Sequence, residues 1–279
     1  MRRLKGVPFT VARFALLAVF LLFAVFPLYW IMITSLKQPR EIYSSPLSYF
    51  PRQPTVASYL KLLSTSMFGL YFLNSLLVTV CTAIGVLVVG TLGGFALSRH
   101  KSGHFRNTIL LTIYFTQMIP ALVIMTPLYL MLSRLGMVNR LWSLIIIYVA
   151  VSVSFALIMS KSFFDRIPSS FEEAAMIDGC NIIGALWRVI VPVSLPGMAA
   201  IFIFTFINIW NELFLAVMFL SSPSKTTVQI ALNSFITKAG VSWDLMSAGL
   251  VIALLPTVFV FGFAQKFIVA GLTEGSLKE

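Results

Sequence analysis

Two groups of side chains in this sequence could do chemistry. The stretch "SSFEEAAMIDG", Ser169 to Gly179, gathers Glu172, Glu173 and Asp178, three of only nine acids in 279 residues. In "FINIWNELF", Asn208, Asn211 and Glu212 stand at i, i+3 and i+4 with Trp210 among them, which on a helix makes one polar stripe. His100 and His104 are four apart and could share a helical face, but no further ligand lies near, so they read as solvated loop residues. Neither Cys81 nor Cys180 has metal-ligand spacing with another cysteine. No G-x-x-x-x-G-K-[ST] occurs to cradle a nucleotide phosphate. No paired acids, Ser with His or metal ligands stand inside an apolar run, so nothing supports an intramembrane enzyme.

The elements that must position these residues follow from composition. The chain is 59% hydrophobic and 10% charged, whereas a water-soluble domain is about a quarter charged, so it reads as an all-α integral membrane protein. Roughly 20 residues of helix cross the hydrocarbon, and a charge at its centre costs about 2.5–3.5 kcal/mol on insertion scales. Runs spared of charge predict six transmembrane helices, near 14–36, 72–97, 108–132, 141–160, 196–220 and 246–268, the fifth interrupted only by Glu212. The opening "MRRLKGVPFTVAR" resembles a secretory signal, but its apolar run of about 23 residues exceeds the usual 7–15 and predicts a retained span. Lys and Arg near the span ends, concentrated in "SRHKSGHFRN", favour both termini inside. The domain reading is an inner segment at 1–13, a six-span body at 14–268 and an inner tail at 269–279. The net charge of +11 is spread over span flanks and points to anionic lipid headgroups rather than nucleic acid.

This topology puts the acidic stretch in the longest inner loop, 161–195. Ser169 or Ser170 can cap a helix, with Glu172 or Glu173 completing a capping box, and Gly179 can end it in a left-handed turn. A second short helix starts at Asn181. Phe171, Ala174, Ala175 and Asp178 fall on one face, small enough for close approach by another protein. A helix lying on the membrane would carry Lys and Arg rather than acids, so a protein partner is the better fit.

Glu173-Ala174-Ala175, three residues, Gly179, nine residues, Val189, one residue, Val191-Pro192 resembles the E-A-A loop of bacterial and archaeal ABC importer permeases, with valines where Ile and Leu are usual. The likeness covers nearly the whole chain and looks like the carbohydrate branch, the maltose-type permeases. "FPLYWIMITSLK", "NSLLVT", "GGFALSR", "PLYLMLSRLGMVN", "WNELFLA" and "FIVAGLTEGSLKE" carry it. The resemblance implies a multi-pass protein of the bacterial or archaeal inner membrane, with the type I importer permease fold. It implies a second homologous permease, two ATP-binding cassette subunits that bind ATP and Mg, and an extracytoplasmic solute-binding protein. This chain would hold no cofactor of its own.

By that likeness Glu172, Glu173, Ala174, Ala175, Asp178, Gly179, Val189 and Pro192 dock on the ATPase. The tail Gly271, Leu272, Thr273 and Gly275 either reaches between the ATPase subunits or is a frayed terminus. Gln117, Asn208, Trp210, Asn211 and Glu212 are the candidate substrate pathway; the stripe either binds sugar hydroxyls or joins the partner permease by interhelical hydrogen bonds. Gln117 lies beside Pro120 and Pro127, which could equally just bend the span. Gly90 and Gly94, with Gly93, form a small-residue patch for helix packing. Competing readings are a proton-coupled secondary carrier using Glu212, and an importer permease for a non-sugar solute. A single acid and no visible inverted repeat weigh against the carrier.

Overall fold

A computed structural model describes residues 6–100 and 102–276. Arg2, Arg3, Lys5, Lys101 and Lys278, which bear on orientation, lie outside them. In order, the helices are α1 (Gly6–Ser35), α2 (Pro39–Ile42), α3 (Ala57–Thr65), α4 (Phe68–Arg99), α5 (Gly103–Met118), α6 (Ala121–Arg134), α7 (Leu141–Phe164) and α8 (Ser170–Ile177). They continue with α9 (Ile182–Ala185), a π turn (Leu186–Ile190), α10 (Val191–Val193), α11 (Leu195–Trp210), α12 (Phe214–Phe219), α13 (Val228–Ser234) and α14 (Trp243–Ser276). A hairpin pairs β1 (Ile236–Thr237) with β2 (Gly240–Val241), Ile236 opposite Val241.

Among the described residues, α1, α4, α7 and α14 are each long and apolar enough to cross a membrane, and two bent pairs bring the count up to six. The third predicted span is one of these pairs: α5 and α6 meet at 98°. Pro120 lacks an N–H and crowds the residue before it, and Ile119 accordingly takes extended backbone, φ −81° and ψ 118°. The second pair bends by 81° where the segment Ile182–Val193 enters α11. The predicted fifth span is also not one helix, since α11 stops at Trp210 and α12 begins at Phe214. At 1.5 Å per residue α11 is only about 24 Å long, short of a 30 Å core.

The chain forms two compact units. One holds the described part of Met1–Phe68 with Leu232–Leu255. Here the proline-punctuated segment after α1 is ordered by two ions. Lys37, 3% exposed, donates to the Ser48 carbonyl at 2.5 Å and stands 4.8 Å over the Trp30 ring. Glu41 accepts from the Arg52 N–H at 2.9 Å and the Ser48 hydroxyl at 2.7 Å, which hold its carboxyl below the usual range. Lys61 pairs with Asp244 at 3.6 Å.

The second unit, Gly69–Ala231 and the described part of Pro256–Glu279, contains both groups of candidate residues. In it α4 and α7 approach closely. A Cβ at Gly90 would stand 2.6 Å from Ala156 Cβ, and one at Gly94 would stand 2.5 Å from Ser160 Cβ and 2.9 Å from the Lys161 nitrogen. Backbones can approach this closely only because α4 carries hydrogen there, which is the helix packing the small-residue patch predicts. Phe95, Ala156, Phe164, Leu186, Ile190 and Met198 bury one core around this contact, so the π turn is anchored directly to the spans. Val78, Leu144, Tyr148, Ile209, Ala216 and Phe219 bury the other.

Candidate functional site

The acidic helix α8 starts without the expected cap. Ser169 has helical backbone, and its hydroxyl meets Glu173 Oε1 at 3.2 Å instead of a backbone N–H. Glu172 does not complete the box either. It turns inward, 4% exposed, and pairs with Arg99 at 2.6 Å. A carboxylate buried this far needs a cation, and α4 ends by supplying one. Ala175, one turn later on the same side, is buried with it. The expected docking face is corrected accordingly: Glu172 and Ala175 belong to the inner face, while Phe171, Glu173, Ala174, Met176, Ile177 and Asp178 are exposed. Ile177 is 87% exposed, an unusual position for a β-branched apolar side chain.

The end of α8 follows the prediction. Gly179 has φ +87°, its N–H donates to the Met176 carbonyl at 3.1 Å, and the Cys180 N–H donates to the Ala175 carbonyl at 2.9 Å. These two bonds are a Schellman closure. Asn181 then caps α9, its Oδ1 accepting from the Gly184 N–H at 2.7 Å. The backbone widens into a π turn just before Pro192, which has no N–H to give the Arg188 carbonyl and crowds it. Val189 is half-buried against the adjoining core and Pro192 is exposed. Ile182, Ile183 and Trp187 are exposed apolar side chains as well.

Asp165, at the end of α7, accepts from Lys161 Nζ at 2.5 Å and from the Ser98 hydroxyl at 2.6 Å. Burial works against its charge, but these two bonds together with the positive charges of Lys161 and Arg106 keep its carboxyl below the usual range.

The polar stripe of α11 is split by the end of the helix. Asn208 and Asn211 donate their side-chain amides to the carbonyls four residues back, Phe204 at 2.7 Å and Ile207 at 2.8 Å. Such local bonds compete with the helical ladder. Glu212 restarts the chain. Its Oε1 accepts from the Leu215 N–H at 2.9 Å, and its Oε2 from the Ala216 N–H at 3.2 Å and the Tyr148 hydroxyl. The carboxylate therefore caps α12 and ties it to α7. Trp210, expected on the pathway, is 2% exposed, edge-on to Phe72 at 5.7 Å and stacked on Phe206 at 6.0 Å. It is a core residue, turned inward as the C-terminal residue of α11.

Two neighbouring cavities take up the remaining candidates. One of about 270 Å³ is lined by Tyr148, Ser152, Thr205, Asn208 and Glu212, with Phe155 and Phe204 stacked at 4.2 Å as its apolar wall. The other, about 590 Å³, is lined by Gln117, Thr116, Ser154 and the bend residue Pro120. Val151 and Leu215 border both. Asn211 is exposed and borders neither. Sequence reasoning missed Tyr148 and Ser152, although their spacing of four in an apolar run is the signal used for the α11 stripe. Among the described residues no group of three or more His, Cys, Asp or Glu could hold a metal. Gly271, Leu272, Thr273 and Gly275 continue the backbone of α14, and their side chains lie outside the described residues.

Comparison with known proteins supplies the context. The chain is 34% identical over 266 residues, 95% of its length and 93% of the relative's, to the sulfoquinovosyl glycerol transport system permease protein SmoH of Agrobacterium fabrum. It is 32% identical, covering 91% of itself and 92% of the relative, to the diacetylchitobiose uptake system permease protein DasC of Streptomyces coelicolor. Its fold matches a chain from the crystal structure of a bacterial ABC transporter involved in alginate import, with TM-score 0.82, 25% identity, and coverage of 96% of this chain and 99% of that one. The family profile described as the binding-protein-dependent transport system inner membrane component matches residues 87–274, which include α8, the π turn, both cavities and the start of the tail. The chain belongs to that family, and is an inner-membrane permease component of an ABC importer that has no ATPase site of its own.

Proposed function

We propose that this permease carries a sugar or an oligosaccharide, and that α8 and α9 are its contact with an ATP-hydrolysing partner. The observation that carries the docking assignment is the shape of α8: a short helix closed firmly at its C-terminal end, ion-paired inward through Glu172, and presenting Ile177 almost bare. An apolar residue so exposed, on a short helix that also exposes Phe171 and Met176, calls for a covering surface. Two ATP-binding cassette subunits with ATP and Mg provide it, on the cytoplasmic side. A second, homologous permease completes the passage, and an extracytoplasmic binding protein delivers the solute.

The sugar assignment has two supports. The relatives above are named for carbohydrates or for glycosides of them. The smaller cavity also sets hydroxyl, amide and carboxylate groups against a stacked phenyl wall, which suits a molecule with hydroxyl edges and C–H faces. Asn208 and Gln117 meet the solute, whereas Glu212 shapes the wall.

The complex reconstituted in vesicles tests this reading. Uptake should need ATP and survive a proton uncoupler, and Ile177→Glu should abolish co-purification of the ATPase subunits. Uptake that ignores ATP and collapses with the uncoupler would overturn the proposal in favour of a carrier using Glu212.

A further inference from the structure

The end of α4 holds a side chain that the docking face does not account for. Arg99 turns all three of its guanidinium nitrogens to acceptors. Nε and Nη2 meet Glu172 Oε1 at 2.6 Å; Nη1 meets the Ser98 hydroxyl at 3.0 Å and the Phe164 carbonyl at 3.1 Å; Nη2 also meets the Ile167 carbonyl at 2.9 Å. The two carbonyls belong to the last turn of α7 and the residues just after it, where a helix leaves carbonyls unsatisfied and favours a cation. One guanidinium therefore closes α7 and grips α8 at the same time. Its other flank rests on the Phe95 ring, 5.8 Å from the centroid. Ser98, the residue before it, reaches Asp165, so a second bond ties α4 to the same junction.

On its inner face α8 buries only Glu172 and Ala175, and one methyl group contributes little apolar burial. What fixes α8 to α4 is thus polar and directional. From this geometry we infer that Arg99 is a positioning residue for transport: it locks α8, the end of α7 and the end of α4 into one body, so that displacement of α8 moves the long helix α4 along with the spans joined to it by chain. This rests on the docking assignment of α8 given above. Arginine is required because its planar fork serves the carboxylate and two divergent carbonyls together, whereas a lysine ammonium is a single point of charge.

The test uses the complete transporter in vesicles. In Arg99→Lys the charge is kept and the fork is lost. ATPase subunits should still co-purify and hydrolyse ATP, while solute moved per ATP falls about tenfold. Spin labels at His100→Cys and Ile177→Cys, in a background with Cys81 and Cys180 replaced by Ser, report the junction directly. Their distance distribution should be narrow when Arg99 is retained and broad in the Arg99→Lys variant. Glu172→Gln, which keeps an acceptor oxygen, should fall between the two on both readouts, and it decides the matter if Arg99→Lys fails to assemble. Unchanged transport per ATP together with an unchanged distance distribution would overturn the inference. The docking assignment fails separately, if the label at position 177 stays as accessible to a water-soluble relaxation agent with the ATPase subunits present as without them.

Discussion

Trp210 fills the angle between Phe72 and Phe206, and Glu212 two residues on binds three donors of its own chain. Removing the indole should leave a large void: Trp210→Ala is expected to destabilise the protein by about 3–5 kcal/mol, read as a lower thermal midpoint of the purified complex. Both residues stand in "WNELFLA"; a carboxylate at that depth should turn inward, away from lipid, but the sequence does not say whether the stripe meets solute or protein. A period of 3.6 predicts a stripe only while the helix continues. Here it stops at Trp210, so Asn208 and Glu212 share a cavity while Asn211 leaves it. Arg99 was legible only as a basic residue at a span end, because all its partners but the neighbouring Ser98 come from 65 to 73 positions away in the chain.

Helices whose ends are written locally were the most readable elements. Gly179 and Asn181 mark the close of α8 and the start of α9 because a left-handed glycine and an asparagine cap act within a few residues. The bends at Pro120 and before α11 were less so, since a hydropathy run does not register direction. The glycines of α4 show how an element is placed once formed. Gly94→Val should push α4 off α7 and cost about 1–3 kcal/mol, measured by thermal unfolding. Gly262 in α14, where a Cβ would meet open space, is the control, and Gly262→Ala should be neutral or stabilising by up to about 1 kcal/mol.

For the whole molecule, composition and span count identify a helical integral membrane protein, and the E-A-A-like loop narrows it to a family of inner-membrane permeases that the profile match establishes. Orientation follows from the same reading and has a direct check. A cysteine at position 177, with the native cysteines replaced, should react with an impermeant maleimide in inside-out vesicles stripped of the ATPase subunits and not in right-side-out ones. The nature of the solute is the least legible property, because the residues of the proposed pathway come from α5, α7 and α11, and no one of those segments records the others. Val151 and Leu215 line both chambers. For the passage proposed above, a shared wall of aliphatic side chains makes capacity adjustable by trimming a few methyl groups, so that longer or shorter cargo could be admitted through a single codon change, with the proposed acid-bearing lever and its fastening left intact.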